Sequence, residues 1–129
     1  MTPSDPTSTS SAPASRPVGP YTPVVGAGDW LVVSGQLGLR DGALVDGGVV
    51  SQLTQAMANL EGLLAGAGAS LSSVVKTTLF LTDIGDYQAV NEAYIAAFGD
   101  HRPARSAVAV AGLPLGGLVE IEAWAWVGG

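Results

Sequence analysis

Residues Leu118 to Val127 alternate in character at every step, placing Glu120, Glu122, Trp124 and Trp126 on one side of an extended chain and Ile121, Ala123, Ala125 and Val127 on the other. A period of two specifies a strand with one apolar face against a core. The opposite face carries two carboxylates and two indoles, and the pattern leaves two readings open. In one, the glutamates are exposed cross-strand partners of basic residues and the tryptophans pack between subunits. In the other, one carboxylate and Arg105 point into a shared cleft.

The remaining elements have to cover that strand. Pro17 to Pro23 holds too many prolines for a central strand and is expected to be an extended arm with Tyr21 as its large side chain. Trp30 to Ser34 is β-branched and apolar, and Leu37 to Leu44 contains the turn Arg40-Asp41-Gly42; together they predict a hairpin interrupted at Ser34-Gly35-Gln36. Leu53, Met57, Leu60 and Leu64 recur at helical spacing, with Ser51 as the candidate cap and Gly66 and Gly68 ending the run. Val74 to Leu81 reads as a strand. Asp83 and Asp86 are cap candidates for a second helix bearing Val90, Tyr94, Ile95 and Phe98. Arg105 to Val110 adds a further strand, giving an α+β order of β-β-α-β-α-β-β with both helices on one sheet face.

Composition narrows the chemistry. At 129 residues the chain suits one domain, expected over residues 16–129, and residues 1–15 lack the apolar side chains to repay ordering and are expected to form a flexible tail. The absence of cysteine removes disulfides, thiolate metal sites and thiol nucleophiles, and a single histidine, His101, removes most Ser-His-Asp arrangements. Five basic against eleven acidic residues give a net charge of −6, which disfavours nucleic acid as a partner. No apolar run is long enough to span a membrane, and the start is Ser/Thr/Pro-rich, so a soluble cytoplasmic protein is expected. With 12% charged residues and a mean hydropathy of +0.37, little charge is left to cover a small monomer, which points to a homo-oligomer.

Gly19-Pro20-Tyr21, Val33-Ser34-Gly35-Gln36, Val74 to Thr78 with Leu81-Thr82-Asp83, Val90-Asn91 with Tyr94, and Arg102-Pro103-Ala104-Arg105-Ser106 with Glu120-Ile121-Glu122 stand in one order along the chain. Together they resemble the reactive-intermediate deaminase (Rid, or YjgF) family from about Gly19 to Val127. The resemblance implies a chorismate-mutase-like α+β fold, two helices on one face of a mixed sheet, assembled as a homotrimer with clefts between subunits. It also implies metal- and cofactor-free hydrolysis of 2-enamino and 2-imino acids, such as 2-aminoacrylate, to 2-keto acids and ammonia.

In that frame Arg105 holds the substrate carboxylate with its planar fork, a contact contributing about 1.5–3 kcal/mol. Glu120 handles water and protons; burial would raise its pKa and Arg105 would lower it. Tyr21, Ser34, Gln36 and Asn91 are expected to line the site. Ala107 departs from the family's pattern, standing where many relatives carry cysteine two residues beyond the anchoring arginine.

Three residues are expected to be structural: Tyr94 in the core, His101 at a helix end, and Lys76 paired with a carboxylate such as Asp83. Two other functions stay open, a non-catalytic module that binds small carboxylates as a sensor or regulator, and recruitment to a specialised biosynthetic step. Ribonuclease activity is disfavoured by the negative charge and the lone histidine.

Overall fold

The computed structural model describes residues 7–8 and 19–129. In chain order the elements are β1 (Thr7–Ser8), β2 (Val24–Ala27), β3 (Trp30–Leu37), β4 (Leu39–Arg40), β5 (Ala43–Leu44), α1 (Val49–Gly66), β6 (Val74–Leu81), α2 (Tyr87–Phe98), β7 (Ala104–Ala109) and β8 (Val119–Trp126). Apart from Thr7 and Ser8, the expected tail over residues 1–15 lies outside the described residues, as do Arg16 to Val18.

The alternation of β8 decides the layering. Val119, Ile121, Ala123 and Ala125 are wholly buried, packing with Leu53, Leu60 and Leu64 of α1 and Val90 and Tyr94 of α2 in one apolar core. Both helices therefore cover the same sheet face, as the sequence order predicts. The sheet runs β1-β2-β3-β8-β6-β7, and the β6–β7 pair is parallel while the other neighbours are antiparallel, so the sheet is mixed. A parallel pair needs a long crossover, which α2 supplies. The other face carries Trp30, Trp124 and Trp126, all substantially exposed, with Trp30 edge-on to Trp126 at 5.0 Å and to Trp124 at 6.0 Å between ring centroids.

Several local expectations are corrected. Trp30 pairs with Ala27 across a two-residue turn, so the hairpin is β2–β3, and Leu39–Arg40 with Ala43–Leu44 form a separate small ribbon. Gly28, at φ 60, supplies the left-handed residue that this turn requires. Ser34-Gly35-Gln36 does not end β3: register shifts between Val33 and Gln36, leaving Ser34 and Gly35 together opposite Glu122 in a β-bulge. Helix α1 begins two residues before Ser51, with Gly48 at its cap position. Asp83 accepts from the Gly85 N–H in the turn before α2, while Asp86 takes the cap position without a side-chain bond.

The bulged strand is tied to α1 by Asn59, which is buried and whose amide donates to the Leu37 carbonyl at 3.1 Å and the Leu39 carbonyl at 2.9 Å. Asn59→Ala leaves both carbonyls without that donor and is expected to lower stability by about 2–3 kcal/mol, read as a fall in the urea midpoint at unchanged slope.

Candidate active site

Arg105 sits on the edge strand β7, directly opposite Thr77 of β6. Thr77 is wholly buried beneath α2 and its hydroxyl is 2.7 Å from the Tyr94 hydroxyl, so Arg105 projects on the helix-covered face. Helical periodicity brings Tyr87, Asn91 and Tyr94 onto the side of α2 that meets it. The guanidinium carbon lies 4.9 Å from the Tyr94 ring centroid and 5.5 Å from that of Tyr87, and Nη2 donates to the Tyr87 hydroxyl at 3.1 Å. Burial raises the Tyr94 pKa against the opposing pull of its Thr77 bond and of Arg105 and Arg102, which keeps it a neutral phenol at physiological pH.

In front of Arg105 lies a cleft of about 270 Å³ lined by Asn91, Tyr94, Ile95, Arg102, Pro103 and Arg105. Asn91 Oδ1 is buried there without a hydrogen-bond partner. Arg102 is partly spent on the backbone, donating to the Gly99 and His101 carbonyls.

A second cleft, of about 350 Å³, opens on the other sheet face and is lined by Tyr21, Ser34, Gly35, Phe80, Pro114, Glu120 and Glu122. The bulge builds its floor. Ser34 donates its hydroxyl to the Thr22 carbonyl at 2.7 Å and its N–H to the Pro23 carbonyl at 2.8 Å, fastening the proline-rich arm so that Tyr21 stands at the cleft. Gly35 lies against Glu120: a Cβ there would stand 2.7 Å from the carboxyl carbon and 2.9 Å from Oε2. Burial first, and the like charge of Glu122 second, raise the Glu120 pKa above that of an ordinary carboxylate.

Arg105 and Glu120 do not share a cleft within one chain. Glu120 pairs with Phe80 on the uncovered face, Arg105 with Thr77 on the covered one, and a strand separates β7 from β8. The pleat sends them in opposite directions. Tyr21 and Ser34 accompany Glu120, and Asn91 accompanies Arg105. Gln36 lines neither cleft; it is buried with its amide turned onto the Ser34 carbonyl at 2.9 Å. Ala107 packs against the core.

Lys76 donates to the Ser106 hydroxyl at 2.8 Å where a carboxylate was expected, and His101 Nε2 lies 2.7 Å from the Val74 carbonyl, joining the end of α2 to β6. Among the described residues no three His, Asp or Glu side chains gather to hold a metal ion.

The family model described as Endoribonuclease L-PSP matches residues 9–127. The chain belongs to the Rid family. A Capra hircus protein named 2-iminobutanoate/2-iminopropanoate deaminase is 47% identical over 118 residues, 90% of this chain and 85% of that one. The human protein of the same name is 43% identical over 116 residues, covering 88% and 85%. Among solved structures, a Rid-family protein from Yersinia pestis superposes with a TM-score of 0.90 at 36% identity, over 95% of this chain and all (100%) of that one.

The Rid motifs read in the sequence thus distribute over two faces of one sheet. Sequence reading missed Tyr87, Phe80 and Pro114. Tyr87 lies seven residues before Tyr94 on the same helical side, and Phe80 is in step with Lys76 and Thr78 along β6, so both were accessible to periodicity; Pro114 comes from a loop whose path has no such signal.

Because the folded pKa of Glu120 is raised, the stability it contributes is complete below the unfolded carboxylate value of about 4.3 and is lost as pH rises through the folded value. Glu120→Gln is therefore expected to raise the melting temperature at pH 7 and to change it little at pH 4, as measured by calorimetry. Gly35→Ala should push the carboxyl toward water and lower the Glu120 pKa, followed by carboxyl-carbon NMR titration.

Proposed function

We propose that this protein hydrolyses 2-enamino and 2-imino acids, 2-aminoacrylate among them, to 2-keto acids and ammonia in the cytoplasm, at clefts where Arg105 of one protomer meets Glu120 of the next in a homotrimer. The observation that carries the proposal is the placement of an aromatic-clamped arginine and a carboxyl of raised pKa on opposite faces of one sheet. Each half lacks what the other holds. The deaminase names of relatives at 43–47% identity support the reaction class. The exposed tryptophan face supports burial against a second copy.

The chemistry follows from the two groups. An enamine tautomerises to an imine, whose carbon is already electrophilic, so neither metal nor covalent nucleophile is required. Arg105 holds the carboxylate through paired N–H bonds and places the imine carbon near Glu120. A carboxyl of raised pKa retains its proton closer to neutrality than an ordinary one does. It gives that proton to the imine nitrogen; water then adds to the carbon while the carboxylate takes up the water's proton. Glu120 passes that proton to the amine of the carbinolamine, and as ammonia leaves, the carboxylate takes the hydroxyl proton, which forms the keto acid and restores the protonated carboxyl.

Tyr21 and Ser34 border the carboxyl and help exclude water, and Asn91 borders the anchor. Gln36 supports the bulge beneath them. Ala107 leaves the wall beside Arg105 without a thiol, which the shuttle does not need. Phosphodiester cleavage is not favoured, since the net charge is −6 and the lone histidine is bound to the Val74 carbonyl.

One observation favours a second reading. The Arg105 cleft is lined by no carboxylate, so it suits a small carboxylate ligand held without turnover. Calorimetric binding of 2-ketobutyrate, together with keto-acid formation no faster than buffer when a dehydratase supplies 2-aminoacrylate, would select it.

Arg105→Ala and Glu120→Gln homotrimers are each expected to lose at least 100-fold in activity, roughly the share of a general acid–base group or substrate anchor. Co-expressing the two variants should restore about a quarter of the wild-type sites, because random assembly joins an intact Arg105 to an intact Glu120 at that frequency. Failure of the mixture to recover activity would rule out a cleft shared between protomers.

A further inference from the structure

We propose that Tyr87 is a positioning residue that fixes the rotation of the Arg105 guanidinium, so that its free N–H groups face the substrate carboxylate. The inference rests on the carboxylate-anchor reading of Arg105 and deepens it. An arginine leaving an edge strand has a long flexible stem, and two-point recognition works only if the plane and the rotation of its fork are both set.

Two tyrosines divide that work. Tyr94 is 4% exposed and its hydroxyl is engaged with Thr77 at 2.7 Å, so its ring supplies a fixed surface 4.9 Å below the guanidinium carbon, and its hydroxyl has no share in the fork. Tyr87 is the first residue of α2, 43% exposed, and its hydroxyl accepts from Arg105 Nη2 at 3.1 Å. One bond at one corner of the fork stops it from turning about its own axis. A guanidinium has five N–H donors, and a carboxylate takes two of those left over. Seven residues separate the tyrosines, so a single helix face delivers both, with Asn91 between them.

Tyr87→Phe keeps the ring and removes only the hydroxyl. In the full-length protein, KM for enzymatically generated 2-aminoacrylate and Kd for 2-ketobutyrate are expected to rise about 10-fold, the effect of one hydrogen bond to a charged group, while kcat and the melting temperature hold. Tyr87→Leu, which also removes the ring, should weaken binding further. Unchanged KM and Kd in Tyr87→Phe, or a fall in either, overturns the proposal; a fall would mean that the hydroxyl competes with substrate for Arg105. Arg105→Ala separates the two readings. If it abolishes 2-ketobutyrate binding while Tyr87→Phe does nothing, only the role of Tyr87 fails; if it leaves binding intact, the anchor itself fails.

Discussion

The pleat of the central sheet sets the terms for everything else in this molecule. Burying Val119, Ile121, Ala123 and Ala125 against α1 and α2 obliges Glu120 and Glu122 to project from the uncovered face, because successive side chains on a strand cannot share a side. The parallel register of β6 and β7 then places Arg105 level with the buried Thr77, beneath α2. Arg105 and Glu120 are separated by the same interactions that stabilise the fold. No side-chain rotation brings them together, so a site using both draws on two chains, and oligomerisation becomes a chemical requirement of the proposed reaction as well as a way to cover exposed tryptophans.

The two half-sites are prepared by different physics. On the Glu120 side the backbone does the shaping: the bulge at Ser34 and Gly35 opposes two residues to Glu122 alone, and the missing side chain at Gly35 lets the carboxyl lie against the chain. Losing water there, beside another carboxylate, is what raises its pKa. On the Arg105 side, side chains do the shaping, through one helix face that presents a ring, a hydroxyl and a buried carboxamide oxygen to an edge strand.

What was legible in the sequence follows from the same division. Periodicity made the faces of β8, the core side of α1 and the burial of Tyr94 readable, since each depends on spacing within one element. Motif order made the family readable, and with it Arg105 and Glu120. Relations between elements were not readable. Ser-Gly-Gln looks the same as a strand end or as a bulge until its partner strand is known. The prolines before Val24 to Ala27 mask a short strand whose pairing depends on Gly28. The partner of Lys76 is a hydroxyl across a parallel pair, which leaves no mark in composition. The opposite orientations of Arg105 and Glu120 depend on how β7 and β8 each pair with β6, which local pattern does not encode.

Charge distribution links the half-sites. Of five basic side chains in the chain, two, Arg102 and Arg105, line one cleft, while Glu120 and Glu122 line the other. These two clusters set up local fields of opposite sign. Two copies approaching with one cleft toward the other are drawn together by those fields, and water leaving the closing cleft strengthens them further. A substrate carrying a carboxylate at one end and an imine nitrogen at the other matches that polarity in a single orientation, its anion at the arginines and its basic nitrogen at the glutamates. The same arrangement that would align the subunits would therefore align the substrate, so the proposed anchor and proton shuttle would gain from standing on different chains.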